Sequence, residues 1–284
     1  MKKWMALAVS AILALGLVAC GGGNAPSAAA STGGNAPSAA ASTGGAATGS
    51  KVEAIKAAGK LVMLTNAEFP PFEYLAEGGV AAGVDVELAQ KIADELGVEL
   101  EVVNMDFDGL ILALQSGKGD IVAAGMSIDE ERKQQVDFST PYVDTTLYIM
   151  VREGDESIAS IEDLAGKKVA VQEATTSDLF ISDPGNVEVG EVLKFKASAE
   201  AASALKGGMA DAVVMDDLTA KNVASALGGL TILDTVEVAH EQYAMAVQKG
   251  GDDLLAVVNK VLEEAVAQDA VNALISEHME LSKG

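Results

Sequence analysis

Two arginines, Arg132 and Arg152, stand among 19 basic residues in a chain of 284. The chain uses lysine almost everywhere else. Yet it places Arg132 shortly after Gly125-Met-Ser127, where the short β-branched run Asp120-Ile-Val-Ala123 reads as the end of a buried strand. A guanidinium presents a rigid fork of donors that meets a carboxylate through two parallel hydrogen bonds, which an ammonium cannot do. Strand ends in open α/β sheets gather backbone N–H groups and side chains, and ligands bind there. The chemistry on offer is carboxylate recognition. Read alone, Glu130-Glu131-Arg132-Lys133 is equally an ordinary solvated face on a helix that starts near Asp129, where acidic residues suit the N-terminus.

Other residues of suitable type are more ambiguous. Asp216 and Asp217 read on their own as a helix cap before Leu218. Thr175-Thr176-Ser177 could bind a ligand or serve only as a cap. Phe69 and Phe107 could flank a ligand or sit in the core. Catalysis would need a positioned acid or base. His240 falls at an expected domain crossover and His278 on the last helix, both expected at the surface, and no serine has a histidine partner in a motif. No His/Cys cluster suggests a metal, and no cofactor motif is present. These residues offer no catalytic constellation.

The elements that must hold these residues alternate between strand and helix patterns from Lys51 onward. Residues 61–65 read as a strand, 86–96 as an amphipathic core-facing helix, 100–103 as a strand, 108–116 as a short helix and 120–123 as a strand. A second set follows Pro141-Tyr142, with strands at 147–151, 168–171, 192–195 and 212–215. Helices are expected at 198–205 and after Asp217, with a turn at Ile161-Glu-Asp-Leu164. A strand at 243–247 and helices over 252–267 and 270–281 complete the chain. This is an α/β pattern with a mostly parallel sheet.

The formal net charge is −23. Loss of Lys2 and Lys3 with a leader would leave 17 basic against 42 acidic residues, hence −25. Such a field repels polyphosphates, so nucleic acid and anionic membrane surfaces are not expected partners of the folded part. Met1-Lys-Lys followed by an apolar run over 4–18 and Leu17-Val-Ala-Cys20 resembles a bacterial lipobox. The resemblance implies a signal peptide over 1–19 and acylation of Cys20, the only cysteine, which anchors the chain without spanning the membrane. Residues 20–50 then read as a flexible tether, with Asn24-Ala-Pro-Ser-Ala-Ala-Ala-Ser-Thr-Gly-Gly34 repeated as 35–45.

Glu68-Phe-Pro-Pro-Phe-Glu-Tyr74, Gly83-Val-Asp-Val-Glu-Leu-Ala89, Met105-Asp-Phe-Asp-Gly-Leu110, Ala113-Leu-Gln-Ser-Gly117 and the stretch Gly125–Tyr142 stand in this order. Together they resemble the family 3 solute-binding components of ABC importers, the polar amino-acid-binding proteins, over about residues 52–282. The resemblance implies an α/β, two-lobed periplasmic-binding-protein fold of type II. Two crossover hinges join its lobes, and a ligand cleft lies between them. Lobe 1 would be 51–144 with the return 240–284, and lobe 2 would be 145–239, with crossovers near 144 and 238–241.

By the same resemblance, Arg132 binds a ligand α-carboxylate. Ser127, the Gly125 and Ser127 backbone, and Thr176 at a helix start on the other lobe supply further donors. Asp216 takes the α-ammonium, Phe69 and Phe107 flank the ligand, Asn66 and Met215 help to set specificity, and Thr175 is a further ligand-binding position. Relatives often have glycine at Ala174, which leaves that turn open. The implied role is capture of an L-amino acid for a membrane permease and its ATPase, by a monomer held outside the cytoplasm. The alternatives are a dehydratase-like enzyme of the same fold, or an amino-acid sensor lipoprotein. Asn66 is neutral, and no second arginine greets an acidic side chain. An uncharged polar or sulfur-containing ligand such as glutamine or cystine is therefore expected. Emptying the cleft with Arg132→Ala is expected to remove binding without unfolding the protein.

Overall fold

The computed structural model describes residues 49–282. The expected leader over 1–19, the acylated Cys20 and nearly all of the tether lie outside these residues.

Ser50 caps α1 (Lys51–Ala58), its side chain accepting from the Glu53 N–H. After it, β1 (Lys60–Thr65) enters the core with Leu61, Met63 and Leu64 fully buried. A small antiparallel sheet follows, made of β2 (Glu68–Phe69), β3 (Glu73–Leu75) and β4 (Ala81–Ala82). Next comes α2 (Val84–Leu96), which buries Leu88, Ile92 and Leu96, spaced four apart on one face as a core-facing helix requires. Its entry depends on Gly83. A Cβ there would stand 2.1 Å from the Phe72 carbonyl oxygen, so only glycine lets the two backbones approach.

The first lobe continues through β5 (Glu99–Asn104), α3 (Leu110–Gln115), β6 (Ile121–Val122), α4 (Glu130–Gln135) and β7 (Val136–Phe138). A single turn, Phe107–Gly109, precedes α3. β1 pairs in parallel with β5 at the sheet edge and with β6 at its centre, while the later strand Ala246–Gln248 lies antiparallel to both β6 and β7.

The chain then leaves this sheet along β8 (Val143–Arg152), longer at its start than the pattern predicts. The second lobe holds β9 (Lys168–Gln172), α5 (Thr176–Ser182), β10 (Glu191–Phe195), α6 (Ser198–Lys206), β11 (Ala212–Asp216) and α7 (Asp217–Leu227). The return is β12 (Leu230–Tyr243), a strand that the sequence pattern does not predict. It lies antiparallel to β8, with Tyr243 opposite Val143 and Glu241 opposite Thr145, so both passages between lobes form one paired ribbon. The chain ends in β13 (Ala246–Gln248), α8 (Asp252–Ala267) and α9 (Ala270–Leu281) back on the first lobe.

Two five-stranded sheets result, β5-β1-β6-β13-β7 and β10-β9-β11-β8-β12, each with an apolar cluster on both faces. This is the two-lobed α/β architecture. No helix among the described residues is long and apolar enough to cross a membrane. His278 departs from its expected surface position. It is 4% exposed, with Nδ1 3.0 Å from the Tyr74 hydroxyl and Nε2 3.1 Å from Glu87 Oε1, clasping α9 onto α2 and β3.

Candidate functional site

A narrow cleft lies between the lobes, at the strand ends where β6 and β9 stop. From the first lobe it is lined by Phe69, Phe107, Ala124, Gly125, Ser127 and Arg132, and from the second by Gln172, Thr175, Thr176 and Asp216.

Asp129 positions Arg132. Its carboxylate caps α4 by accepting from the Glu131 and Arg132 N–H groups, and its Oδ2 lies 2.9 Å from Arg132 Nε. Each terminal guanidinium nitrogen also donates one bond, Nη1 to the Ser127 carbonyl at 2.7 Å and Nη2 to the Ala174 carbonyl at 2.9 Å. The plane stands 5.4 Å from the centre of the Phe107 ring, within cation–π range. Burial lowers the Arg132 pKa while the Asp129 charge opposes this.

Ala174 keeps the left-handed backbone that glycine would adopt more easily, with φ of 63°. Its N–H donates to Asp178 Oδ2 and its carbonyl receives Arg132, so contacts from both lobes hold the strained turn.

Opposite Arg132, Asp216 ends β11 and is 5% exposed, with Oδ1 lacking a hydrogen-bond partner. Burial pushes its carboxyl up to about 7, and the Glu241 charge adds to the shift. An unpaired buried acceptor is costly unless something meets it. The cavity thus has a cationic pole on one lobe and a carboxyl pole on the other.

Several expected roles change in detail. Gly125 lines the cavity, but its N–H donates to Asp85 Oδ2 at 2.8 Å and is not free for a ligand. Asp85 also accepts from the Tyr142 hydroxyl and lies beside the buried Glu73; burial raises its pKa to about 6. A Cβ at Gly125 would meet the Phe69 ring at 2.9 Å, so glycine is required where that ring closes the cavity floor. The Ser127 and Thr176 hydroxyls, expected to donate to the ligand, both donate to Glu241 Oε2 instead. Ser127 bridges Tyr243, with Ile128 N–H bonded to the Gln242 carbonyl and Ala244 N–H to the Met126 carbonyl. That pairing turns Ser127's own amide away from the partner strand.

Thr175 lines the cavity while capping α5, accepting from the Asp178 N–H. Asn66 does not line it. Its amide donates to the Met105 carbonyl and its oxygen accepts from Gln172 Nε2 across the lobes. Met215 does not line it either. It neighbours Asp216 on β11, faces the other side of the sheet as strand alternation demands, and packs with Met150 and Ala220.

Sequence reasoning missed Gln172 and Glu241. Gln172 Oε1 is buried without a partner and belongs to the cavity wall. His240 is exposed, paired with Glu237 and Thr146, and takes no part in the cavity.

A further contact between the lobes is Lys196 of the second lobe, which lies 3.0 Å from Asp108 and 3.6 Å from Asp106 on the first, and 2.9 Å from Glu173 on its own. Hydrogen bonds to Glu173 and Asp108 raise its pKa. Exposed pairs contribute little and are screened by salt. Lys196→Met should weaken ligand binding by about two- to fivefold at low salt and leave it unchanged at high salt, as read by titration calorimetry. An equal loss at both salts would remove the ion-pair explanation.

The model of the bacterial extracellular solute-binding proteins, family 3, matches residues 61–280. The arginine-binding extracellular protein ArtP of Bacillus subtilis is 33% identical, over 93% of this chain and 92% of its own length. The L-cystine-binding protein TcyJ of Escherichia coli is 30% identical, over 78% and 82%. Among solved structures, a mutant of ArgBP from T. maritima is 41% identical with a TM-score of 0.75, over 81% of this chain and 99% of that one. The amino acid ABC transporter substrate-binding protein AbpA from Streptococcus pneumoniae, bound to L-arginine, is 33% identical with a TM-score of 0.78, over 82% and 99%. These relatives are named as binding proteins. The chain belongs to the bacterial extracellular solute-binding proteins, family 3, and is a binding protein, not an enzyme.

Proposed function

We propose that this substrate-binding protein of an amino-acid ABC importer closes its two lobes on an L-amino acid and delivers it to a membrane permease with its ATPase. One observation carries the reading. Arg132 and Asp216, on opposite lobes, face one cleft, and Asp216 Oδ1 makes no close hydrogen bond, with the Tyr243 hydroxyl the nearest protein group to its carboxyl. A zwitterion supplies both complements, its α-carboxylate for Arg132 and its α-ammonium for Asp216. The lobes would divide at the β8–β12 ribbon, near residues 144 and 239.

The side chain would lie between Phe69 and Phe107 and meet Gln172. The neutral Asn66 was the argument against a cationic side chain, and its amide is engaged by Gln172 and Met105. Gln172 Oε1 is an acceptor without a partner, and two rings stand beside it, which suits a side chain that brings N–H donors. Arginine therefore joins glutamine and cystine at the head of the candidates. ArtP is named for arginine and TcyJ for cystine, which agrees with that group. The protein would act as a monomer outside the cytoplasm. Diacylglyceryl-Cys20 would hold it at the membrane, since more than one acyl chain is needed for stable anchoring.

A thermal-unfolding panel of the purified protein with each common L-amino acid and cystine tests the reading. Ligand at about a thousand times its dissociation constant adds roughly 4 kcal/mol of stability. That raises the midpoint by about 10 °C for a domain of this size. A protein that is folded, ligand-free and indifferent to every one of them is not an amino-acid receptor.

A further inference from the structure

Glu241 sits near the end of β12, opposite Thr145 on β8, at the ribbon where the chain passes between lobes. Its side chain does not line the ligand cavity. It faces a pocket on the hinge side with Asp144, Thr145, Asp217 and His240. From there one oxygen, Oε2, accepts from Ser127 Oγ of the first lobe and, at 2.7 Å, from Thr176 Oγ1 of the second.

A carboxylate has no proton to give, so both hydroxyls must donate to it. Each hydroxyl has a single proton. Once that proton is held on the hinge side, the oxygen shows only lone pairs to the cavity.

We propose that Glu241 is a positioning residue that fixes Ser127 and Thr176 as acceptors for a ligand α-ammonium, beside Asp216, and so makes the site selective for α-amino acids over the same acids without the amino group. The inference rests on the amino-acid reading above. It leaves the α-carboxylate to Arg132 and the Ser127 amide, and it needs both lobes together, because the two hydroxyls come from different lobes.

The test compares L-arginine with δ-guanidinovalerate, and L-glutamine with glutaramate, each pair differing by the α-amino group. Glu241→Met removes the acceptor, and both hydroxyls become free to donate to a carboxylate. The preference for the amino acid should then fall by about tenfold, one hydrogen bond to a charged group. Glu241→Gln keeps an acceptor oxygen in place and should hold the preference within about threefold of wild type. A Met variant with undiminished preference overturns the proposal, as does a Gln variant that loses as much as Met.

A neutron structure of the closed, ligand-free wild-type protein provides a readout that needs no ligand. Deuterons on the Glu241 side of both hydroxyls support the inference, and deuterons aimed into the cavity overturn it. Wild-type protein that binds neither amino acid would defeat the functional reading alone, and the deuteron positions would still decide the role of Glu241.

Discussion

Arg132→Ala weakens amino-acid binding by about 30- to 5,000-fold, the cost of deleting one partner of a buried charged pair. One N–H on each terminal nitrogen is already bonded to a carbonyl, of Ser127 and of Ala174. The other N–H on each nitrogen remains for a carboxylate, which is the fork that makes arginine specific. The same contacts revise the expectation that the variant leaves the fold untouched. Arg132 is 6% exposed, and its loss leaves Asp129 Oδ2 and the Ser127 and Ala174 carbonyls without their guanidinium partner. Stability should drop by about 2–3 kcal/mol, which lowers the unfolding midpoint yet leaves a folded protein. Arg132→Lys separates the two effects, since it restores charge without a planar fork and should bind at least tenfold more weakly than wild type. Titration calorimetry on both variants, above their verified folded fraction, is the measurement. An Ala variant that binds with wild-type affinity would falsify the carboxylate assignment.

Much of this was legible because Arg132 is chemically conspicuous. A lysine-rich chain that places a rare arginine behind Gly125-Met-Ser127 signals geometry, and the structure puts that arginine on the cavity wall. The parallel strands were legible for a related reason, although the mostly parallel sheet expected from the pattern is mixed, with β13 antiparallel to β6 and β7, and β8 antiparallel to β11 and β12. Buried strands such as β1 and β9 are continuous apolar runs, and α2 repeats its apolar residues at helical spacing. β12 was not. Its residues are largely half-exposed or exposed along Leu230–Tyr243, with acidic and threonine positions interleaved, so neither periodicity stands out. Only its register against β8 makes it a strand.

The missed and misplaced residues follow from the same limits. Glu241 lies 114 residues from Ser127 and 65 from Thr176, and nothing local in Val238-Ala-His-Glu-Gln-Tyr243 marks it. Met215 was avoidable, because adjacent residues on a strand face opposite sides and Asp216 already occupied the cavity side. Gln172 carried a partial signal. It is the last residue of its strand, just before the Thr175 cap, a position from which side chains reach a cleft.

Amino-acid affinity should also fall by about tenfold for each pH unit below neutrality, because of Asp216. Burial and the Glu241 charge raise its carboxyl to about 7 in the ligand-free fold, far above an unfolded aspartate. Between about pH 4 and 7 the folded chain therefore holds a proton that the unfolded chain has released. Its contribution favours folding at low pH and is lost as pH rises through that window, on the order of 4 kcal/mol at most. A ligand ammonium reverses the preference, because it needs the ionised carboxylate. Below pH 7 binding must expel the proton, which calorimetry in buffers of different ionisation enthalpy counts directly. Asp216→Asn removes the proton from both sides of the cycle. Its ligand-free form should melt higher than wild type at about pH 8, since no buried charge remains. It should bind the amino acid about 30-fold or more weakly, with no pH dependence between about 5.5 and 8. A wild-type affinity that is flat over that range would mean that the ammonium meets some other group. A stabilised but ligand-blind Asn variant would mean that the fold tolerates an unpaired buried acid because the ligand completes it.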